Sequence, residues 1–479
     1  MRAEMFPDQL SCEVLVIGSG PGGSVTAALC AEAGKSVIMI EEGDDLPLDS
    51  AAHFSRAEIL QKYRSGGIGI AVGRTKLAFV EGRCVGGGSE VNRGLYHRTP
   101  ATLLDRWRQN FSVRNLDAET LTPHFEACEA LVPVQYLPGE APLISQRLQD
   151  GAQARGWKAI EAPRLFRYDI DQKQSMSATL VPRFRQLGGR LIPRMRAIRI
   201  RRIAGRWHVD VRNDPTGLPT RVGSIVADKL FVCAGAVQTP LLLRRSGFRH
   251  NIGNSLRFHP MLKVVAKFPD VVNRPGDPDP VHQVKEFEPS LGMGCSISTP
   301  TMLGMALVDH PDGQASVDRD WQRMGLYYVQ STGTRAKVRA LPGFADPLVL
   351  LLTEASELRE LQQGLRRLIE ALFGAGAETV FPLVSGWPAL HSMDDLRRVS
   401  ENILPADGDM TSVHVFASCP MGEDRDRCAT DSFGRVHDAD GLYINDASIL
   451  CGPTSVNPQG TVMAIAHRNA THALATDFR

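Results

Sequence analysis

The sequence predicts an α/β fold built around a parallel sheet, with a βαβ unit at its N-terminus. Two observations predict the unit. The apolar tetrad 14–17 runs into a glycine-rich turn and a helical pattern over 24–33, and a second apolar strand follows over 36–40. At 479 residues, the chain also exceeds the length at which a single hydrophobic core usually divides. We therefore expect two domains.

The composition indicates a globular protein and disfavours several classes of partner. Hydrophobic residues make up 43% of the chain, and 54 Lys and Arg are balanced by 53 Asp and Glu. This balance argues against a broad basic surface for nucleic acid or anionic membranes, so a small-molecule partner is expected. The nine cysteines form no Cys-x-x-Cys pair, which predicts reduced thiols. Because residues 1–11 lack an apolar signal region and no apolar run approaches the ~20 residues of a membrane span, a cytoplasmic protein is expected.

The turn after the first strand has the spacing of a dinucleotide-binding fingerprint. In such turns a glycine at position 18 permits the tight turn, Gly20 lets the backbone approach a pyrophosphate, and Gly23 lets the helix pack closely on the strand. Glu41 ends the second strand at the distance expected for a carboxylate that binds ribose hydroxyls. Spacing alone leaves Glu42 as an alternative.

A second glycine-rich stretch follows at 82–98 and contains three consecutive glycines, 86–88. Glycines without side chains are useful where the backbone presses against a ring or a phosphate. The intervening segment 44–80 is expected to be loop-like with one helical stretch. The run 348–352 is expected to be a buried strand, and 354–373 a helix that packs on a sheet.

Several segments together resemble the signatures of the glucose–methanol–choline (GMC) oxidoreductases, which are FAD enzymes that oxidise alcohols. Besides the N-terminal fingerprint they occur, in the family's order, at 82–98, 230–240, 252–260, 413–422 and 441–466. The chain departs from the family's pattern at Pro420, where arginine is usual, and at Gly88, where serine is usual. The similarity covers most of the chain.

The resemblance implies a Rossmann-like FAD-binding domain and a discontinuous substrate-binding domain built on an antiparallel sheet. The FAD-binding domain is expected to comprise 1–100, 195–260 and 414–479, the last of these with the active-site residues. The substrate-binding domain is expected to comprise most of 101–194, together with 261–413.

The resemblance also implies cofactor contacts outside the N-terminal turn. The residues concerned are Gly86, Gly87, Ser89, Asn92, Asp446 and Pro458. Asp446 is expected to accept hydrogen bonds either from FAD or from backbone N–H groups that orient it. His97 does not match the offset of the histidine that carries FAD covalently in some relatives, so we expect non-covalent FAD.

Alcohol oxidation requires a base within hydrogen-bond reach of the hydroxyl, and histidine suits this task because its ordinary pKa is near neutrality. The resemblance assigns that role to His414. It assigns the second active-site position to Asn457, whose amide can both donate to and accept from the substrate oxygen. Asn457 is also placed to be the N-cap of the last helix, with Pro458 at the first helical position. One side chain cannot fill both roles well.

The sequence therefore predicts FAD-dependent oxidation of an alcohol to a carbonyl compound, with electrons passed to oxygen or another acceptor. A non-redox lyase on the same scaffold, of the hydroxynitrile lyase type, is one alternative. An NAD-dependent dehydrogenase that uses only the N-terminal unit is another. The stretch 457–459 is closer to sterol, long-chain and choline-type members than to sugar oxidases.

Overall fold

A computed structural model describes residues 9–213, 221–399 and 410–478 of the chain. They form two large sheets. The first sheet has seven strands, six of them in the order Arg190–Ile192, Val37–Ile40, Gln9–Ile17, Arg221–Val232, Arg206–Asn213 and Met195–Ile203. The seventh strand, Leu442–Ile444, pairs in parallel with residues 230–232.

The centre of the first sheet is parallel and buried. Residues 14–17 pair in parallel with 37–40 on one side and with 229–232 on the other. The helix Pro21–Glu32 follows the glycine turn directly and packs against the C-terminal helix Gln459–Thr476. Since helices cover a parallel sheet, its strands can be apolar on both faces, which explains the continuous apolar runs in the sequence. The predicted Rossmann-like unit is confirmed.

Four further helices contribute to the hydrophobic core around the first sheet. They are Ala101–Phe111, Ala118–Leu131, Leu180–Gln186 and Gly235–Arg245. Their buried residues include Trp107, Phe125, Phe184 and Leu243, which lie in one cluster with the central strands.

The second sheet has thirteen strands and is mainly antiparallel. Twelve of them run in the order Val415–Phe416, Leu256–Phe258, Arg335–Arg339, Leu348–Leu352, Gly69–Val72, Lys76–Phe79, Met410–Ser412, Met261–Lys267, Met324–Ser331, Leu291–Cys295, His282–Val284 and Ala159–Glu161. The thirteenth, Thr379–Pro382, pairs beside Met261–Lys267. The helix Ala355–Gly374 packs on this sheet through leucines 361, 365, 368 and 372, as its periodicity predicts.

The remaining elements are short. The α-helices are Arg56–Lys62, Gly88–Val91, Leu143–Gln153, Pro300–Ala306, Pro311–Ala315, Val317–Asp320 and Met393–Arg398. The 3₁₀ helices are Arg64–Gly67, Tyr168–Ile170, Leu307–Asp309, Trp321–Arg323 and Ala447–Ile449. A small ribbon pairs Phe166–Arg167 with Gln172–Lys173. Among the residues described, no helix combines the length and apolarity needed to cross a membrane.

Two expectations for local structure were wrong. The segment 44–80 contains a hairpin, Gly69–Val72 with Lys76–Phe79, that inserts into the second sheet, whereas the sequence predicts a loop there. The strand Leu348–Leu352 is not fully buried, since Leu352 is 40% exposed. Its residues alternate between two faces, as in a sheet with one solvated side.

The domain boundaries remain a prediction. Each sheet contains strands from segments assigned to the FAD-binding domain and from segments assigned to the substrate-binding domain. Arg190–Ile192 lies in the first sheet although it falls in the segment assigned mainly to the substrate domain. Gly69–Val72 lies in the second sheet although it falls in the segment assigned to FAD binding.

Candidate active site

The N-terminal turn shows why its glycines are needed. Gly18 has a φ of +102°, and a Cβ there would lie 2.3 Å from the carbonyl oxygen of Cys233. A Cβ at Gly23 would lie 2.0 Å from the carbonyl oxygen of Gly18. Gly20 differs, because a Cβ there would meet no atom within 4 Å. Gly18 and Gly23 are therefore needed for close packing of the backbone. Gly20 instead leaves open space at the N-terminus of the helix Pro21–Glu32, where an anion is favoured.

The second glycine stretch packs directly on this turn. A Cβ at Gly87 would lie 2.9 Å from Cα of Gly20, and the N–H of Gly86 donates to Oγ of Ser19 over 3.1 Å. Both glycines have positive φ, +93° at Gly86 and +54° at Gly87. The structure thus brings together two motifs that are separated by more than sixty residues in sequence.

Ser89 holds the second glycine stretch in place. Its hydroxyl donates to the carbonyl oxygen of Gly86 over 2.7 Å and accepts from the N–H of Met176 over 3.0 Å. The residue is 1% exposed. These two contacts use the hydroxyl proton and one of its two lone pairs, and a direct contact between Ser89 and FAD remains a prediction.

The two candidate ribose carboxylates have different surroundings. Glu41 accepts from the N–H of Ser19 over 3.1 Å and from its hydroxyl over 2.8 Å, so it lies beside the glycine turn. Burial raises the pKa of Glu41. Glu42 instead forms a two-pronged ion pair with Arg64, at 2.7 and 3.1 Å. Burial acts to raise the pKa of Glu42, but the nearby guanidinium groups, led by that of Arg64, lower it. Of the two, Glu41 is better placed for the predicted ribose contact.

Asp446 connects two of the motif segments. One carboxylate oxygen accepts from the N–H of Gly235 over 2.8 Å and from the hydroxyl of Thr239 over 2.5 Å. The other accepts from the N–H of Ser448 over 2.7 Å. The carboxylate is 5% exposed, and burial raises its pKa. Asp446 thus accepts hydrogen bonds from backbone N–H groups, while a contact with FAD remains a prediction.

The two predicted catalytic residues meet in space. Nδ2 of Asn457 lies 3.2 Å from Nε2 of His414, and both side chains are half-buried. His414 lies between the strands Met410–Ser412 and Val415–Phe416, where the hydroxyl of Ser412 donates to its carbonyl oxygen over 2.8 Å.

The expectation that Asn457 caps the last helix was wrong. The helix begins at Gln459, and Pro458 occupies the N-cap position without any side-chain cap. Helix termini predicted from sequence are uncertain by a residue or two, and here the contact with His414 determines where the amide points.

Asn92 lies at the same end of the last helix. Its Nδ2 donates to Oε1 of Gln459 over 2.5 Å, and its Oδ1 accepts from the N–H of Gly94 over 3.0 Å. The stretch that follows the glycines is thereby tied to the helix N-terminus beside Pro458. Contacts of Asn92 and Pro458 with FAD remain predictions.

Two site residues had not been singled out from the sequence. Nδ1 of His259 lies 3.0 Å from Nδ1 of His414, and Nε2 of Gln283 donates to Oδ1 of Asn457 over 3.2 Å. His259 lies within the matched stretch 252–260, but no local pattern distinguishes it. Gln283 lies on a strand of the second sheet and has no sequence signal at all.

The electrostatics of the site favour neutral imidazoles. Burial, aided by the positive charge of Lys285, lowers the pKa of His414 to about 4. Burial lowers the pKa of His97 to about 3, with the charges of Lys285 and His414 acting in the same direction. Lys285 itself pairs with Glu288 over 2.9 Å. At neutral pH, His414 is therefore an uncharged imidazole that can accept a proton.

The site fits an elongated dinucleotide cofactor. The open side of Gly20 at a helix N-terminus suits a pyrophosphate, and the carboxylate of Glu41 lies beside it. At the other end, both ring nitrogens of His97 are buried and make no hydrogen bond of normal geometry in the described part of the chain, although the amide of Asn457 lies near enough to act on the pKa of His97. Buried polar atoms of this kind are usually satisfied by a ligand or water.

Comparisons with known proteins agree with this geometry. Two family profiles described as GMC oxidoreductase match residues 59–261 and 345–466, and one described as FAD binding domain matches 11–85. The chain is 36% identical to the uncharacterized GMC-type oxidoreductase y4nJ of Sinorhizobium fredii, over 98% of this chain and 96% of the relative. It is 25% identical to the long-chain-alcohol oxidase FAO4A of Arabidopsis thaliana, over 96% of this chain and 67% of the relative.

A solved structure shares the fold across almost the whole chain. It is pyridoxine 4-oxidase from Mesorbium loti, with a TM-score of 0.73, 18% identity, and coverage of 97% of this chain and 99% of that one. The protein belongs to the GMC oxidoreductase family, and its cofactor is FAD.

Proposed function

We propose that the protein oxidises an alcohol to a carbonyl compound, with His414 as the base and Asn457 as the residue that positions the substrate oxygen. The observation that carries the proposal is the 3.2 Å contact between the two side chains at the start of the last helix. A base and a donor that converge on one point can hold a hydroxyl between them.

The chemistry divides between the cofactor and the chain. FAD supplies the acceptor for the hydride that leaves the alcohol carbon. His414 accepts the hydroxyl proton at Nε2, since its lowered pKa keeps the ring neutral and therefore able to take up a proton. Asn457 donates from Nδ2 to the same oxygen and so fixes its direction.

The residues that would hold FAD lie at two helix N-termini. The turn at Gly18, Gly20 and Gly23 opens onto the first helix and would hold the pyrophosphate, with Glu41 at the ribose. The helix that begins at Gln459 would direct its partial positive charge toward the ring that accepts electrons.

For the substrate, we propose a primary alcohol with an apolar body. The long-chain-alcohol oxidase match across 96% of this chain supports this class. The electron acceptor is proposed to be oxygen or another small oxidant.

The experiment is an anaerobic panel read by loss of flavin absorbance. It includes 1-dodecanol, benzyl alcohol, a sterol, choline, glucose and a cyanohydrin. We expect at least one alcohol to bleach the bound flavin and to yield the corresponding carbonyl compound. Cleavage of the cyanohydrin without any bleaching by alcohols would instead establish the lyase alternative and contradict the proposal.

A further inference from the structure

A continuous series of hydrogen-bonding side chains runs through the site, from the strand His282–Val284 of the second sheet to the turn between the strands Leu256–Phe258 and Met261–Lys267 of the same sheet. Its members, in spatial order, are Gln283, Asn457, His414 and His259, joined by contacts of 3.2, 3.2 and 3.0 Å. The two outer residues are buried, with Gln283 at 5% exposure and His259 at 0%.

The hydrogen bond from Gln283 sets which atoms donate and which accept along this series of side chains. Because the side-chain nitrogen of Gln283 donates to Oδ1 of Asn457, the amide of Asn457 is oriented with Nδ2 toward His414. An amide nitrogen donates and cannot accept. With the amides of Gln283 and Asn457 in these orientations, Nε2 of His414 carries a lone pair, and the single proton of its neutral ring lies on Nδ1.

The contact with His259 completes this order of donors and acceptors. Nδ1 of His414 faces Nδ1 of His259, and a hydrogen bond between two ring nitrogens needs one donor and one acceptor. With the proton on His414, the acceptor is His259. Nε2 of His259 is buried and has no hydrogen-bond partner in the described residues. A buried polar atom without a partner lowers the stability of the folded protein. The ring of Phe416 packs edge-to-face against that of His259, with the ring centroids 4.8 Å apart and an interplanar angle of 72°.

We propose that His259 and Gln283 are positioning residues that fix His414 in the tautomer whose Nε2 lone pair faces the substrate. The inference rests on the function proposed above. When substrate binds, its hydroxyl replaces the amide of Asn457 as donor to Nε2. The O–H bond would then break as an N–H bond forms at Nε2, and the C=O bond would form as the carbon gives up a hydride, for which bound FAD would be the acceptor.

His259 has a second effect in this step. The imidazolium formed at His414 keeps its Nδ1–H hydrogen bond to His259, so the new charge has an acceptor on the side away from the substrate. The charged and titratable groups that face His414 are Lys285, His97 and His259. Since the positive charge of Lys285 opposes the imidazolium, the acceptor at His259 offsets part of that effect.

The kinetic test uses the FAD-bound enzyme and the alcohol that bleaches it fastest in the panel. His259→Phe removes the acceptor, whereas His259→Asn places an amide oxygen near the position of Nδ1. We expect the flavin reduction rate to fall at least ~100-fold in His259→Phe and to recover to within ~10-fold of wild type in His259→Asn. Equal rates in His259→Phe and wild type, or no recovery in His259→Asn with FAD still bound, would overturn the proposal.

A substitution at Gln283 should reverse the order of donors and acceptors along this series of hydrogen bonds. In Gln283→Glu the ionised carboxylate only accepts, so Asn457 turns its Nδ2 toward residue 283 and its Oδ1 toward His414. His414 must then carry its proton on Nε2, and we expect a loss of rate of at least ~10-fold at pH 8. His310→Asn is the matched control, since His310 is a buried histidine bound to the carbonyl oxygen of Pro382. Its reduction rate should equal that of wild type, as should dithionite reduction of the flavin in every variant.

A direct readout does not depend on turnover. Neutron diffraction from deuterium-exchanged crystals of the holoenzyme should place a deuteron on Nδ1 of His414 and none on its Nε2. A deuteron on Nε2 would overturn the proposal even if alcohol oxidation is established. Conversely, if no alcohol reduces the flavin while the deuteron lies on Nδ1, the proposed function fails and the assigned tautomer stands.

Discussion

Nδ2 of Asn457 lies 3.2 Å from Nε2 of His414, although 43 residues separate them in sequence. Asn457 is placed by the loop that enters the last helix, and His414 by a short strand of the second sheet. The contact therefore joins the loop before the last helix to the second sheet, at the site where substrate and cofactor are proposed to meet.

Replacing the amide should weaken substrate positioning without emptying the cofactor site. In Asn457→Ala, His414 loses its donor and Gln283 loses its acceptor, so we expect flavin reduction to slow by ~10- to 100-fold. Asn457→His keeps a ring nitrogen that can donate to the substrate oxygen and should be less impaired. Stopped-flow absorbance measures both rates. Wild-type rates in Asn457→Ala would contradict the role assigned to this residue.

A substitution at Gly20, in the glycine turn, should weaken FAD binding without affecting folding. A Cβ at Gly20 meets no protein atom within 4 Å, so Gly20→Ala should fold normally. It would narrow the space reserved for the pyrophosphate, and we expect the Kd for FAD to rise at least ~10-fold, about 1.4 kcal/mol.

Flavin fluorescence quenching on titration of the apoprotein measures this Kd. Gly374→Ala is the control, because that helix position also has open space but lies on the other sheet. An unchanged FAD affinity in Gly20→Ala would show that the pyrophosphate lies elsewhere.

The pH dependence of flavin reduction should report the lowered pKa of His414. Only the neutral ring accepts a proton, so with a pKa of about 4 the rate should be level from about pH 6 to about 8. It should fall as pH drops through about 4, because the ring becomes protonated. Lys285→Met removes a positive charge that lowers the pKa of His414, so the midpoint of the rate decrease should move to higher pH. His97 and His259, which also face His414, are unchanged in this variant. A midpoint at the ordinary histidine pKa of ~6.5 in wild type would disagree with the site as described.

Asp446 should contribute to stability through its buried hydrogen bonds. In Asp446→Asn an amide nitrogen faces donors such as the N–H of Gly235 or Ser448, and we expect the free energy of unfolding to fall by about 2 kcal/mol. The urea midpoint measures this. Asp438→Asn changes an exposed carboxylate paired with Arg425 and should leave the midpoint unchanged. Equal midpoints in both variants would count against a structural role for Asp446.

Local rules predicted the parts of this protein that local interactions determine. The spacing of glycines 18, 20 and 23 identified the first βαβ unit, and leucine periodicity identified the helix Ala355–Gly374. The hairpin over 69–79 was missed because its short strands are only half-buried and are stabilised by distant partners in the second sheet.

The candidate site also combines residues that the sequence predicted with residues that only the tertiary structure reveals. His414 and Asn457 were predicted through family motifs rather than from their local sequence. The contacts of His259 and Gln283 join residues 155 and 174 positions apart, so no short pattern could reveal them. The amide of Asn457 was assigned to a helix cap because capping is a local rule, whereas tertiary contacts determine its direction here.

The most direct test of the account is anaerobic flavin reduction in His414→Ala, with the alcohol that reduces the wild-type enzyme. Because the base is removed and the cofactor contacts remain, we expect the variant to retain FAD and to be reduced ~10²- to 10⁴-fold more slowly. Reduction at the wild-type rate by an FAD-loaded His414→Ala enzyme would contradict the assignment of His414 as the base.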